Sequence, residues 1–565
     1  MSSHVCSRGV WLALLMTPGW ALGADLNCHA ASTYVGYEPA LPGYDFTARL
    51  QRWGDDIDRI KAGHKKTVRK IYINTLPIFD PANAQENFAL YRWANRVHRY
   101  TRPAVIERLL LFSIGEEVND HLLDESERLL RQENYIADSA IRVVRDCQNE
   151  VDLEVVTHEV WTLTPEISLK SSGGDTSGSL GFRDSNFLGS GKSIGLGVKK
   201  EPDRNKLQFH YNDPYFQGER LNLSVRVEKY SDGYHRSVDI GLPFYALDTR
   251  RSWGVRMAES QSTQSRYVDS VKVSALQVQD QAVSTYFGLS AGLIDEQVAR
   301  YLFGLQLEKQ HYAILPDEIV PARVPDDLNL AYPFVEYQQV QDDYKIGFNI
   351  NQIKRSEDIH LGRDLRARLG YSPQGGQVIL QGVWADTWLS RDKMLLQSNL
   401  GWRGRWDINR HVIEDGELNL ALKFHRGQTK NRSLFMAMEI SMLKNPLDQD
   451  ALTLGGDKGL RGYRSNYLSG DSLILLTMEE RVFTQYEPFG LFNLGFAAFA
   501  DVGRAWFREV DVDKDGWKAD VGFGLRLLPC KSDKGQVIHL DVAFPVNDRN
   551  SGRAMLVSVE MKKTL

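Results

Sequence analysis

Arg461 has the most specific chemical surroundings in the chain. It lies in Leu454-Gly-Gly-Asp-Lys-Gly-Leu-Arg-Gly-Tyr463, preceded by Leu460 and followed by Gly462 and Tyr463. An arginine among glycines on a long loop admits two readings. One is a solvated surface loop. The other is a loop folded into an enclosed space, with glycines permitting tight turns and the guanidinium forked onto a carboxylate. A carboxylate is available in Asn493-Leu-Gly-Phe-Ala-Ala-Phe-Ala-Asp501. Alternation along a strand puts Leu494, Phe496, Ala498 and Ala500 on one face, and Asn493, Gly495, Phe499 and Asp501 on the other. Glu479 or Glu480 offers a second acceptor, and the alternation there does not choose between them.

Other chemistry-like segments fail on their neighbours. Asn186-Phe-Leu-Gly-Ser-Gly-Lys-Ser193 ends like a phosphate-binding loop, but Asn186 replaces the first glycine and strands follow where a helix is required. Asp511-Val-Asp-Lys-Asp-Gly516 begins like a calcium loop, yet its twelfth position is Gly522 rather than glutamate. His158-Glu159 lacks the second histidine of a zinc-protease helix and sits in a strand pattern. There is no Gly-x-Ser-x-Gly elbow and no Cys-x-x-Cys pair. No catalytic, cofactor-binding or metal-binding set emerges, and the expectation is a non-enzymatic protein without a cofactor.

The elements that must position Arg461 come from the patterning. The chain changes texture near residue 166. From Lys66 to Thr164 it shows one strand–helix–helix–strand–strand unit. Val68–Ile73 is a strand, and Thr101 and Pro103 open a helix with a Val105, Ile106, Leu109, Leu110 stripe. Asn119 caps a second helix carrying Leu122, Leu123, Leu129 and Leu130. Ala140–Arg145 and Val151–Val155 form a hairpin around the polar turn Asp146–Glu150. Beyond it, about 400 residues alternate with period two, as in Leu221–Glu228, Leu418–Phe424, Ala519–Leu527, Ile538–Phe544 and Met555–Met561.

Such strands suit a secreted sandwich with an inward apolar face, or a membrane barrel with apolar residues toward lipid and polar ones toward a wet lumen. Three features favour the barrel: an export signal, the length of the strand region, and Trp and Tyr recurring near strand ends (Trp402, Trp406, Trp506, Trp517, Tyr215, Tyr230). Counting back from the last strand puts the long Lys444–Asp471 segment and Arg508–Gly516 outside. It puts Thr484–Gly490 and Pro529–Gly535 on the periplasmic side. The bulk averages agree with either reading. The chain has 565 residues, 25% of them charged, and a net charge of −5. A mean hydropathy of −0.37 is what alternation between two solvents produces. That charge offers no basic field for nucleic acid.

Residues 1–23 read as a secretory signal: Arg8, an apolar core from Val10 to Met16, and Ala21-Leu22-Gly23 at the cleavage site. Residues 24–65 read as a linker. Among the cysteines left after cleavage, Cys28 and Cys147 can pair in an oxidising compartment, leaving Cys530 over.

Taken together, these segments resemble the BamA/TamA-like superfamily of outer-membrane assembly factors, bacterial surface antigens and two-partner-secretion transporters. Leu460-Arg461-Gly462-Tyr463 looks like its lumen-loop signature, and Phe499-Ala-Asp501-Val-Gly503 is similar to its Phe-x-Asp-x-Gly motif two strands later. Asp184–Lys192 and Asn212–Gly218 look like its opening strands, and residues 66–164 resemble its polypeptide-transport-associated (POTRA) domain. The resemblance covers roughly residues 66–565. It implies a mainly β fold, with one small α+β domain (66–164) before an outer-membrane barrel of about sixteen strands (165–565). It also implies a lumen loop pinned through Arg461 and Asp501. The expected partners are unfolded or extended polypeptide clients, received in the periplasm, and outer-membrane lipids. A passive pore or lipid/solute channel with the same fold is the alternative. The chain departs from the family in carrying one POTRA-like unit rather than several.

Overall fold

The computed structural model describes residues 28–30, 60 and 63–562, apart from 82–85, 173–174, 202, 269, 317, 322–323, 391–393, 430, 447–450, 509–515, 533–536 and 548–554. The signal peptide, most of the linker and the calcium-like loop lie outside the described residues.

The N-terminal unit is a five-stranded sheet faced by helices. In chain order its elements are β1 (Cys28–Ala30), β2 (Lys66–Leu76), α1 (Ala89–Val97), α2 (Pro103–Leu109), β3 (Glu117–Val118), α3 (Asp120–Gln132), β4 (Ile136–Cys147) and β5 (Glu150–Glu159). The sheet order is β1-β4-β5-β2-β3, with β2 parallel to β5 and the other pairs antiparallel. Pro103 occupies the first turn of α2, where its missing N–H costs nothing. The Asn119 side chain accepts the Leu122 N–H at 2.9 Å and caps α3. Val105, Ile106 and Leu109 of α2 meet Leu123 and Leu130 of α3 in a core over Val143, Leu153 and Val155 of the sheet. Cys147 is disulfide-bonded, and Cys28 is its backbone partner across the β1–β4 ladder.

From Leu163 to Lys562 the strands form one closed antiparallel barrel. Among the described residues it contains 21 strand segments, of which Asp343–Gly347 continues Leu328–Gln341 past Asp342; both pair with Glu357–Ser372. Twenty positions therefore surround the axis, fifteen before the Lys444–Asp471 loop and five after it. The expected count of about sixteen came from resemblance. The segments preceding the loop are more numerous than that count accommodates: one pair of them is a single bent strand, and the others are separate strands.

Alternation decides the barrel's two faces. Along Phe492–Trp506, Asn493, Gly495, Ala497, Phe499, Asp501 and Gly503 are buried, while Phe496 and Ala498 are exposed. The outer wall is a band of exposed apolar side chains, among them Phe182, Leu196, Met257, Phe303, Leu305, Leu380, Phe496 and Phe523. Tyr215 is not part of an aromatic girdle: it is buried in the core of the N-terminal domain.

The domain sits on one end of the barrel. Trp161 N–H bonds to Lys531 O at 2.7 Å, Arg220 reaches Leu110 O at 2.7 Å, and the Leu247 N–H donates to Glu125 at 2.7 Å. Thr484–Gly490 and the start of the Pro529–Gly535 turn lie at this end. The 451–471 segment lies toward the other end, where Ser270 N–H meets Asn466 O at 3.0 Å.

Candidate functional site

The site is built where the 451–471 segment folds back into the barrel. Leu452–Leu454 and Leu468–Gly470 pair as a short ribbon. Leu454, Leu460, Tyr463 and Leu468 form a small core with Leu473 and Ala505 of the wall. Leu460 takes φ 57°, which turns the chain so that Arg461 points at the wall. Gly462 has to be glycine: a Cβ there would lie 2.7 Å from Asp520 Cβ and 3.0 Å from Pro545 N. Gly503 leaves similar room, since a Cβ would lie 3.0 Å from Leu454 Cδ1.

Arg461 is brought to Asp501 in a two-pronged contact, Nε to Oδ2 at 2.8 Å and Nη2 to Oδ1 at 3.1 Å. Its Nη1 also reaches Glu479 at 3.2 Å and Asp541 at 3.4 Å. The guanidinium lies 3.3 Å above the centre of the Phe499 ring, a cation–π contact made stronger by exclusion of water. Asp501 Oδ1 accepts a further bond from Thr477 at 2.9 Å. On either side of Arg461, the Gly462 N–H donates to Asp520 at 2.9 Å, and the Tyr463 hydroxyl donates to Ala519 O at 3.0 Å or Asn547 Oδ1 at 2.8 Å.

Glu480 is not part of this cluster. It stands opposite Ala498 on the outer face, where it pairs with Arg432 at 2.9 Å. Glu479 stands opposite Phe499 and points inward. One residue of register separates the two carboxylates, and a strand sends neighbours to opposite faces.

Sequence reasoning missed four members of the network. Arg481 bonds Glu479 at 3.0 Å, Arg526 bonds Asp541 and also reaches Glu479 at 3.3 Å, and Asp520 holds the loop backbone. Three guanidiniums thus face four carboxylates inside the wall, and the charges balance to within one unit. Their signal was present: Asp520, Arg526 and Asp541 are charges at the inward parity of strands whose outward residues are Val521, Phe523, Leu525, Val542 and Phe544.

A second interior segment, 348–356, lies at the domain end. Ile353 is fully buried against Phe483, Leu528 and Val537, wall residues five or more strands away around the barrel. Arg355 donates to the carbonyls of Pro529, Cys530 and Ser532 at 2.9, 3.1 and 2.7 Å. The Glu357 carboxylate accepts the N–H groups of Ile350, Asn351 and Gln352. The N-terminal domain grips the same stretch, Arg131 through a fork onto Asp358 (2.7 and 2.9 Å) and Asp138 through Ser356 at 2.6 Å.

Titratable residues of the domain are held partly by this docking and partly within the domain itself. His121 bonds Asp342, which raises its pKa. Burial, together with the charges of Lys531 and Arg355, lowers the His158 pKa to about 4. Glu159 is engaged by His98 at 2.6 Å and by the Thr101 N–H at 2.7 Å. Among the described residues no group of three acidic, histidine or cysteine side chains is arranged to hold a metal.

Fold and site together define a closed antiparallel β-barrel, with an α+β domain docked on one end and an arginine-bearing loop seated inside. No family model matches the chain, and no curated protein matches it in sequence. Among solved structures it is similar to CdiB from Acinetobacter baumannii, with 12% identity and a TM-score of 0.44 over 88% of this chain and 74% of that one. It is also similar to BamA from Haemophilus ducreyi lacking POTRA domains 1–3, with 12% identity and a TM-score of 0.39 over 89% and 85%. CdiB from Escherichia coli gives 10% identity and a TM-score of 0.37 over 92% and 97%.

Proposed function

We propose that this chain is an outer-membrane barrel that inserts or translocates polypeptide clients, with the N-terminal domain receiving them in the periplasm. The observation that carries the proposal is the closing seam. Among the described residues, Leu556–Lys562 pairs with the first barrel strand only through Val559 and Ser171. On its other side the same strand pairs through seven residues. An underpaired strand edge is a template for an incoming strand. Among the described residues the seam is the least-paired joint of the wall, and it is the edge that a client strand would join. β2 of the domain adds a second open edge: beyond Thr67 it pairs with β5 alone among the described residues.

Membrane insertion follows from the apolar outer wall, and the Arg461 cluster serves to seat the loop rather than to catalyse a reaction. A passive pore is the alternative, and two segments lying across the interior disfavour it. The test is a disulfide across the seam, Val559→Cys with Ser171→Cys, in protein reconstituted into vesicles and given an unfolded barrel client. Insertion should stop when the seam is oxidised and return on reduction, with unsubstituted protein as the control for the reductant. Equal insertion in both states would refute the seam as the working edge. Steady conductance without any insertion would favour the pore.

A further inference from the structure

The α1 helix has an apolar stripe that the fold leaves uncovered. Leu90, Trp93 and Val97 recur at three- and four-residue spacing and therefore share one face, and all three are exposed. The adjacent face, Tyr91 and Ala94, is buried with Ile78 and Phe79. On the far side of the stripe come Arg92 and Arg96, both exposed. The helix thus presents three bands in order: a face packed on the protein, an apolar band, and a basic band. Its own domain would be served by the first alone.

The stripe does not stand by itself. Tyr91 donates its hydroxyl to Phe489 O in the 484–491 turn that joins two barrel strands, and Leu491 of that turn packs against the same cluster. The turn carries the two most exposed large apolar side chains among the described residues, Phe489 at 81% and Tyr486 at 68%. Leu90, at 63%, and Trp93, at 55%, are the most exposed apolar side chains of the helix that this turn contacts through Tyr91. The patch begins at the barrel rim, where the apolar outer wall ends.

We infer that α1 and the 484–491 turn form a membrane-docking surface that seats in the periplasmic leaflet of the outer membrane, its arginines meeting anionic phospholipid headgroups. Trp, Tyr and Phe at a rim are the side chains that partition to a bilayer interface. A short helix with an apolar stripe beside arginines lies flat in that interface. Seating there fixes the domain against the membrane while its docking contacts fix it against the barrel. This inference rests on the membrane-barrel reading above.

The test uses full-length protein carrying Cys530→Ser, labelled with an environment-sensitive fluorophore at Val97→Cys, in phosphatidylethanolamine/phosphatidylglycerol vesicles containing a nitroxide lipid. A second protein carries the label at Phe523→Cys on the outer wall. Quenching of both labels is the expected result. With Arg92→Gln and Arg96→Gln, the ratio of seated to released helix should fall about thirtyfold at low salt, given the usual attraction of each arginine to an anionic surface. Quenching at 523 but not at 97 overturns the docking surface and leaves the membrane barrel standing. Absence of quenching at both positions overturns the barrel reading itself. Protection at 97 that appears only when an unfolded polypeptide is added overturns the lipid assignment in favour of a client.

Discussion

Replacing Arg461 by alanine removes the loop side chain that forks onto the carboxylates of the wall. The loss comprises two bonds to Asp501, one each to Glu479 and Asp541, and the contact over Phe499. Removing one partner of a buried pair costs about 3–5 kcal/mol. The Arg461 side chain is 10% exposed against 1% for Asp501, so the lower end, about 3 kcal/mol, applies. The ratio of seated to released loop then falls about a hundredfold. The Gly462 N–H, bonded to Asp520 in the seated state, reports this directly by hydrogen exchange. Asp501→Asn and the double variant complete a cycle, with an expected coupling of about 2 kcal/mol. Exchange at Gly462 changing less than about twofold in Arg461→Ala, with no coupling to Asp501, would refute the seating argument. The hydrophobic cluster around Leu460 and Tyr463 would then hold the loop by itself.

Gly462→Ala should unseat the loop with Arg461 intact, because the new methyl collides with Asp520 and the backbone at Pro545; a cost of about 1–3 kcal/mol is readable as a lower melting temperature. Ile353→Ala should cost about 2–4 kcal/mol and speed exchange at residues 350–352, whose N–H groups Glu357 holds. Glu480→Gln should leave stability within about 0.5 kcal/mol, since it lies outside the cluster. Acidification should weaken the domain through His158. Its folded pKa of about 4 lies below the unfolded value, so the unfolded chain takes up the proton first. Stability is complete above about pH 6.5 and falls by about 3 kcal/mol toward pH 4, a slope that His158→Gln should flatten. His121 acts in the opposite sense, because its raised pKa adds docking stability at low pH that is lost as pH rises through it. Its side chain is 41% exposed, so its effect is the weaker of the two.

Much of the site was legible because strands obey parity. Asp501 and Phe499 share a face by counting alone, and the structure sets Arg461 against both. Glu479 and Glu480 were not separable, since parity within that strand needs one residue of known facing, and the cross-strand partner Phe499 supplied it. α1 escaped the periodic reading because its apolar stripe points away from the protein core, so it completes no core pattern.

Local physics settled in the sequence the alternation, the caps at Asn119 and Pro103, the glycines around Arg461 and the change of texture near residue 166. Each depends on a residue and its near neighbours. Only the tertiary structure decided which strands close the barrel and how many surround it. It also decided that Asp520 and Asp541 join the arginine cluster and that 348–356 reaches across the interior. These are meetings between residues far apart in the chain, and they depend on closure of the whole sheet, which no local window of residues encodes.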